Sequence, residues 1–316
     1  MLRTTLLAAA LIAGCATPPP PQAAAPSDLR QRAVDAVALP DEPTAGASSE
    51  FWQTWGDGNA EMSSYRAVSS RYGAPRDAEV VLIYVTEGLS RNTLVKDDAA
   101  DNPLSVLKLN ISEKFDTGIY PYSVMTSVFA PVDAYRSERF QPVKLTLTAQ
   151  EWCGHVFRGV WPGVNGFRST LYSYFAGEDE SDRMFDAPEG TLYEDALLIQ
   201  LRELDGAFAG GGDWSGSVVP SLWQQRVTHE EIAAVAATIR RTQAERDGQP
   251  VTRFVLSYGD YTRTYDVEQA SPKRVLSWET STGDRAVLQG TDRLPYWRLN
   301  GLGDESNRAR FGLSSD

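Results

Sequence analysis

VKLTLTAQEWCGHVFRGVW, residues 143–161, decides how the chain reads. Val143, Leu145, Leu147 and Ala149 are apolar, with polar residues at most positions between them. Residues two apart on an extended chain share a face, so the spacing predicts one long, half-buried strand from Val143 to Trp161. Followed without interruption, the apolar phase takes in Glu151, Cys153, His155 and Phe157. A bulge at Gln150-Glu151 would send them to the other face.

Similar signals extend in both directions. Towards the N-terminus, strands are expected at Met62–Val68, Glu79–Val85, Ser105–Ile111 and Gly118–Ala130, joined around GAPRD (73–77) and FDTG (115–118). Phe167–Phe175 follows the PGVNG turn (162–166). Further on come Val251–Tyr258, Tyr261–Val267, Arg274–Glu279, Ala286–Gln289 and Arg293–Leu299, with YGDY (258–261) and ETSTGD (279–284) as tight connections. Short connections imply antiparallel neighbours.

Two helices interrupt this pattern. Thr191 with Glu194 has capping-box spacing and leads Leu197, Leu201 and Leu204, with Gly206 as the stop. Thr228 with Glu231 repeats the spacing ahead of Ile232, Val235 and Ile239, and Gly248 ends that helix. Between them GGGDWSGS (210–217) reads as a loop, and a further short helix is expected at 28–39. The fold class is α+β: one domain, residues 50–316, built on a large curved, half-barrel-like antiparallel sheet with two inserted helices.

The first residues carry a different message. Arg3, the apolar run Leu6–Ala13 and small residues ahead of Cys15 have the layout of a signal peptide over residues 1–14. Eight apolar residues are too few to span a bilayer, which takes about 20. LIAGC (11–15) resembles the lipobox of bacterial lipoproteins, which implies cleavage before Cys15 and acylation of its thiol and new amine. Ala16 stands where, in proteobacterial lipoproteins, an aspartate marks inner-membrane retention, so the resemblance implies the outer membrane, facing the periplasm. Residues 15–49 then form a tether. Five prolines in the twelve residues 16–27 make it a semi-rigid spacer, with about 35 Å of reach at ~3.1 Å per residue.

The formal net charge is −12, and −13 once residues 1–14, which carry Arg3, are removed. Such a chain repels phosphate backbones and anionic head groups, which speaks against nucleic-acid binding and polybasic membrane contact. The chain has two cysteines and two histidines. With Cys15 acylated, Cys153 has no partner.

Glu151, Cys153 and His155 admit three readings. As a nucleophile site, His155 lowers the Cys153 pKa and Glu151 orients the imidazole. As a metal site, all three are acceptable zinc ligands, but no further Cys or His cluster lies near and His229 is distant. As structure, they line core or a ligand pocket, and this reading is preferred, because Cβ atoms two apart on a strand are well separated. Lys108 and Asn110, opposite Leu107, Leu109 and Ile111, and Tyr120 with Tyr122 are ligand-binding candidates, since a cation among tyrosines suits a carboxylate or phosphate head group. His229 reads as a surface residue, and GEDESD (177–182) as solvated loop. S-x-x-K at 105–108 lacks its companion motifs. No metal, dinucleotide or phosphate-loop motif occurs, so no cofactor is expected.

KLN (108–110), TGIYPYS (117–123), QEWCGH (150–155) and RLPYW (293–297) together resemble a family of uncharacterised bacterial lipoproteins, over most of residues 50–316. Some members carry the label "septum formation inhibitor Maf". The nucleotide pyrophosphatase activity of Maf proteins is not expected of a chain exported away from cytosolic nucleotides. The expectation is an envelope lipoprotein that binds an apolar or amphiphilic ligand, or an envelope protein partner, in the concavity of its sheet. The alternative is an envelope hydrolase or thiol enzyme using Cys153 and His155.

Overall fold

The computed structural model describes residues 49–132, 140–178, 180–203 and 210–313. The expected signal peptide, Cys15, the expected tether up to residue 48 with its 28–39 helix, Leu204 and Gly206 lie outside them. Among the described residues, fifteen strands form one open sheet. They are β1 (Ala60–Arg71), β2 (Ala74–Leu89), β3 (Leu104–Thr117), β4 (Tyr120–Pro131), β5 (Lys144–Glu151), β6 (Gly154–Pro162), β7 (Gly166–Ser173) and β8 (Ser181–Asp186). Then come β9 (Leu192–Tyr193), β10 (Trp214–Val219), β11 (Val235–Arg246), β12 (Gln249–Tyr258), β13 (Tyr261–Glu268), β14 (Val275–Thr280) and β15 (Arg285–Leu294). Their order is 8-7-6-5-4-3-2-1-15-14-13-12-11-10-9. Every neighbouring pair is antiparallel except β9 and β10. Among the described residues there are three short α-helices: α1 (Ser49–Trp55), α2 (Leu197–Glu203) and α3 (Leu222–Thr228).

The decisive stretch is not one strand. Glu151 pairs with Gly154, so the chain reverses at Trp152-Cys153 and β5 and β6 form a hairpin. Gly154 follows the tip because a Cβ there would lie 2.5 Å from the Tyr174 ring. The reversal resets the phase. On β6 the valines Val156 and Val160 are buried on the helix-bearing face, and His155 moves to the opposite face.

The sheet has one helix-bearing face and one largely uncovered face. On the first, the register lines up Tyr84, Leu109, Val128, Leu145 and Val160 across five strands. All five are at most 1 % exposed. α2 buries Leu197, Leu198, Ile199 and Leu201 against this face. Burial of each such side chain contributes roughly 1.5–3 kcal/mol before chain entropy is counted. Arg202 on α2 forms a buried bidentate pair with Glu61 of β1 at 2.7 and 3.1 Å, and its guanidinium lies 4.5 Å from the Tyr84 ring. The opposite face carries two small clusters. Leu89, Leu94, Leu104, Val106 and Val143 form one, and a 3-10 segment, Asp304–Phe311, lays Phe311 on Val81 and Leu294 to form the other.

Two inserted helices are present, but the second is displaced. Residues 235–246 form β11, not a helix. Their burial alternates, with Ala237 and Ile239 inward, and both edges are claimed by β10 and β12. Sheet pairing on two sides overrides a helical spacing of three apolar residues. The helix lies earlier, as α3, and His229 caps its C-terminal end at φ 58° rather than opening a helix. Thr191 donates its hydroxyl to Pro188 O instead of capping α2. Trp214–Val219, read as loop, is β10. The acidic run ends in strand, with Ser181 and Asp182 starting β8. Residues 285–294 are one strand, and Tyr296–Arg298 is a 3-10 turn.

Candidate functional site

A cleft of about 860 Å³ opens between the helix-bearing face of β5–β8 and the stretch from the end of α3 to Ile232. The strand register builds its floor. Leu147, Arg158 and Leu171 stand side by side on β5, β6 and β7. Val156 and Val160 precede and follow Arg158 on the same face. Phe185 and Ile232 add apolar wall, and Tyr72 and Tyr122 bound the end nearest β1.

Four arginines line this cleft: Arg71, Arg158, Arg183 and Arg226. Two are neutralised within it. Arg226 pairs with Glu178 at 2.9 Å and Arg183 with Glu231 at 2.7 Å. Glu178 also accepts from Nδ1 of His229 at 2.8 Å. Among the described residues, Arg158 and Arg71 form no ion pair. Desolvation among Leu147, Val156 and Leu171 holds the Arg158 guanidinium below its ordinary pKa, with Glu178 and Glu231 pulling it back and Arg183 lowering it further. An arginine remains charged under such a shift. Arg71 is 8 % exposed. Its guanidinium lies 4.3 Å from the Tyr72 ring and 5.6 Å from the Tyr122 ring, and Nη2 donates to the Tyr122 hydroxyl at 3.5 Å. Its Nε is buried without a partner. A buried or part-buried cation without a direct ion pair carries a desolvation cost that an incoming anion would offset.

The trio singled out from the sequence is not brought together. Glu151 and Cys153 sit at the cleft mouth, at the tip of the β5–β6 hairpin. The Glu151 carboxylate accepts the Cys153 N–H at 2.6 Å. Its hydrogen bond and negative charge push the exposed Cys153 thiol up from its ordinary pKa, the reverse of nucleophile activation. His155 points out of the opposite face and is exposed. No group of three metal-ligating side chains occurs among the described residues.

The ligand-binding candidates also divide. Lys108 pairs with Glu87 at 2.7 Å and Asn110 Oδ1 accepts from Ser127 at 2.8 Å, both on the face opposite the cleft. Tyr122 lines the cleft, stacked on Phe115 at 4.9 Å, and its hydroxyl meets that of Tyr72 at 2.7 Å. Tyr120 lies beside it with ring centroids 6.0 Å apart. The two cations that sequence reasoning missed are Arg71 and Arg158. The signal for Arg158 was present: with the turn placed at Trp152-Cys153, it is a charge in the apolar phase of Val156 and Val160.

A second polar cluster is structural. Glu194, fully buried, accepts from Ser221 N, Arg263 and the hydroxyls of Tyr258 and Tyr261. Asp195 accepts the Leu222 N–H at 3.0 Å. Together they fasten the start of α3 to β12 and β13. Against known proteins, no family model matches the chain, and neither a curated protein nor a solved structure does.

Proposed function

We propose that this chain is a lipid-anchored bacterial envelope protein, attached through Cys15 at the outer membrane and facing the periplasm, which binds one amphiphile bearing an anionic head group. The reading rests on one observation above the others. Arg158 stands on the apolar floor of the cleft with no ionic partner among the described residues. Leu147, Val156 and Leu171 offer contact to an alkyl chain, and Arg158 and Arg71 offer charge-assisted hydrogen bonds to a carboxylate or phosphate. The cleft volume lies within the ~300–1,000 Å³ usual for small-molecule sites. We read the sheet as the curved, half-barrel wall of this site. Phe167 on β7 and Tyr193 on β9, near the two ends of the strand order, approach to 6.1 Å between ring centroids. α2 fills the middle of the wall, which leaves the β5–β8 part for the ligand.

The test compares an alkyl carboxylate, an alkyl phosphate and the alcohol of equal chain length by calorimetry. A hydrogen-bonded charge contributes about 1.5–3 kcal/mol, so the acids should bind roughly 10–100-fold tighter than the alcohol. Arg158→Gln should remove that preference while leaving the alcohol's affinity in place. Equal affinity of acid and alcohol for the parent chain would remove the basis of the reading.

A further inference from the structure

We propose that the tips of four consecutive hairpins, at Tyr72, Ile119, Trp152 and Tyr174, dock the mouth of the cleft on a lipid surface. These side chains are 59, 84, 69 and 70 % exposed, in that order. They sit in the β1–β2, β3–β4, β5–β6 and β7–β8 connections. Antiparallel hairpins in sequence return to one end of the sheet, so all four tips face the same way. Six strand steps at ~4.8 Å spread them over about 29 Å.

Three features set these tips apart from ordinary surface apolar residues. First, one of them runs against turn chemistry. Tyr72 holds φ 56°, a conformation unfavourable for a bulky residue, whereas the β11–β12 turn solves the same geometry with Asp247-Gly248. Second, they are confined to the half of the sheet that carries the cleft. The turns of the other half at this end are polar: Gly259-Asp260 between β12 and β13, and Ser281–Asp284 between β14 and β15. At the opposite end of the same half, the β2–β3 loop carries Arg91, Lys96, Asp97, Asp98 and Asp101, and the apolar residues exposed there, Val95 and Val164, are less exposed, at 43 and 44 %, than any of the four tips. Third, the tips are braced. The Tyr72 hydroxyl is tied to Tyr122, Trp152 lies 6.4 Å from the Tyr120 ring, and Tyr174 packs on the backbone of Gly154.

Protruding Trp, Tyr and Ile side chains about 10 Å apart, the aromatic ones braced, suit insertion one by one into a bilayer interface, where Trp and Tyr are favoured. They do not form the continuous apolar patch a protein partner would cover. Tyr72 and Cys153, at or beside two of the tips, also line the cleft, so docking would set its mouth on the lipid. The purpose of the docking rests on the amphiphile reading; its geometry does not. With a net charge of −13 from residue 15 onward, attachment comes from aromatic insertion and not from attraction to anionic lipid.

The experiment uses the chain from residue 15 with Cys15→Ser, which carries no acyl group and keeps every described residue. It should float with phosphatidylcholine vesicles, and brominated phosphatidylcholine should quench its tryptophan fluorescence. Ile119→Ser with Trp152→Ser should lower partitioning at least tenfold. Tyr172→Ser with Met184→Ser, exposed on the opposite face, should not. Adding phosphatidylglycerol should weaken binding. Ile119→Ser alone, at an almost fully exposed turn position, preserves folding and should lower partitioning measurably. Failure to float, flotation unchanged by the tip substitutions, or binding that rises with phosphatidylglycerol would each overturn the proposal. Arg158→Gln should leave flotation intact, so loss of head-group preference and loss of docking are separable results.

Discussion

Glu113 and Asp195 should make this chain more stable at pH 5 than at pH 8. Both border a small cavity of about 70 Å³ together with Ser69, Tyr261, Arg263 and Asp284. Desolvation pushes the part-buried Glu113 carboxyl from 4.5 up to about 7, with Asp284 adding to the rise and Ser69 and Arg263 opposing it. Desolvation likewise lifts Asp195 from 3.8 to about 6, against the Leu222 N–H and with help from the charge of Glu194. A carboxyl whose folded pKa is raised favours the fold fully below its unfolded pKa, and that contribution is lost as pH rises through the folded value. For Glu113 the window runs from 4.5 to about 7, and at ~1.4 kcal/mol per unit it is worth about 3 kcal/mol, less what residual solvent access removes. The carboxyls held low by arginine pairs, Asp57, Asp266 and Glu268, stay ionised across this window and add no slope. Glu113→Gln should therefore raise Tm at pH 8 by roughly 4–10 °C and change it little at pH 4.5, read by circular dichroism melts. A parent Tm that does not fall between pH 5 and 8, or a Glu113→Gln shift of equal size at every pH, would refute this reasoning.

Other perturbations have equally definite outcomes. Glu61→Ala strands the Arg202 guanidinium, whose side chain is 1 % exposed, and should cost about 3–5 kcal/mol, seen as a Tm fall on the order of 10 °C. Cys153 should alkylate slowly with iodoacetamide at neutral pH and faster in Glu151→Gln, because the Glu151 carboxylate disfavours its thiolate. His155→Ala should leave that rate unchanged, since its side chain projects from the other face; a rate that collapses in His155→Ala would revive the paired nucleophile.

Much of the sheet was legible because one face is apolar and the other polar. β12 and β13 follow from alternation plus the Gly259-Asp260 turn, and the structure places them within two residues of expectation. The region 210–248 was not legible. Its Ile232, Val235 and Ile239 satisfy a helical spacing, yet Ile232 is buried from a connecting stretch while Ile239 is buried from a strand. Local spacing cannot say that two neighbouring strands will claim the backbone of 235–246. Arg71 was hidden for a related reason. It ends β1 in phase with Tyr65, Ala67 and Ser69, but its environment is made by Tyr122, fifty-one residues away in sequence.

The β5–β6 hairpin shows how narrowly the chemistry of the cleft depends on register. One long strand would have set His155 and Cys153 beside Ala149 and turned Arg158 to the other face. The two-residue reversal at Trp152-Cys153 does the opposite: Ala149 pairs with Val156 and Leu147 with Arg158. A slip of one residue would exchange the faces again, because side chains alternate with period two. That slip is resisted by burial of Val156 and Val160, at 2 and 0 % exposure, and by the lack of room for a side chain at Gly154. The packing that fixes the hairpin therefore also fixes a cation without a direct ion pair on the cleft floor. The cleft is lined by five glutamates, Glu151, Glu178, Glu180, Glu230 and Glu231, of which Glu178 and Glu231 are engaged by Arg226 and Arg183, and Arg158 and Arg71 are the cations without an ion pair that an anionic head group could satisfy. Selectivity for an anion then follows from the pairing register itself: Arg158→Leu should keep the hairpin and its melting temperature while abolishing the acid-over-alcohol preference. Loss of the fold in that variant would show that the charge is there for stability.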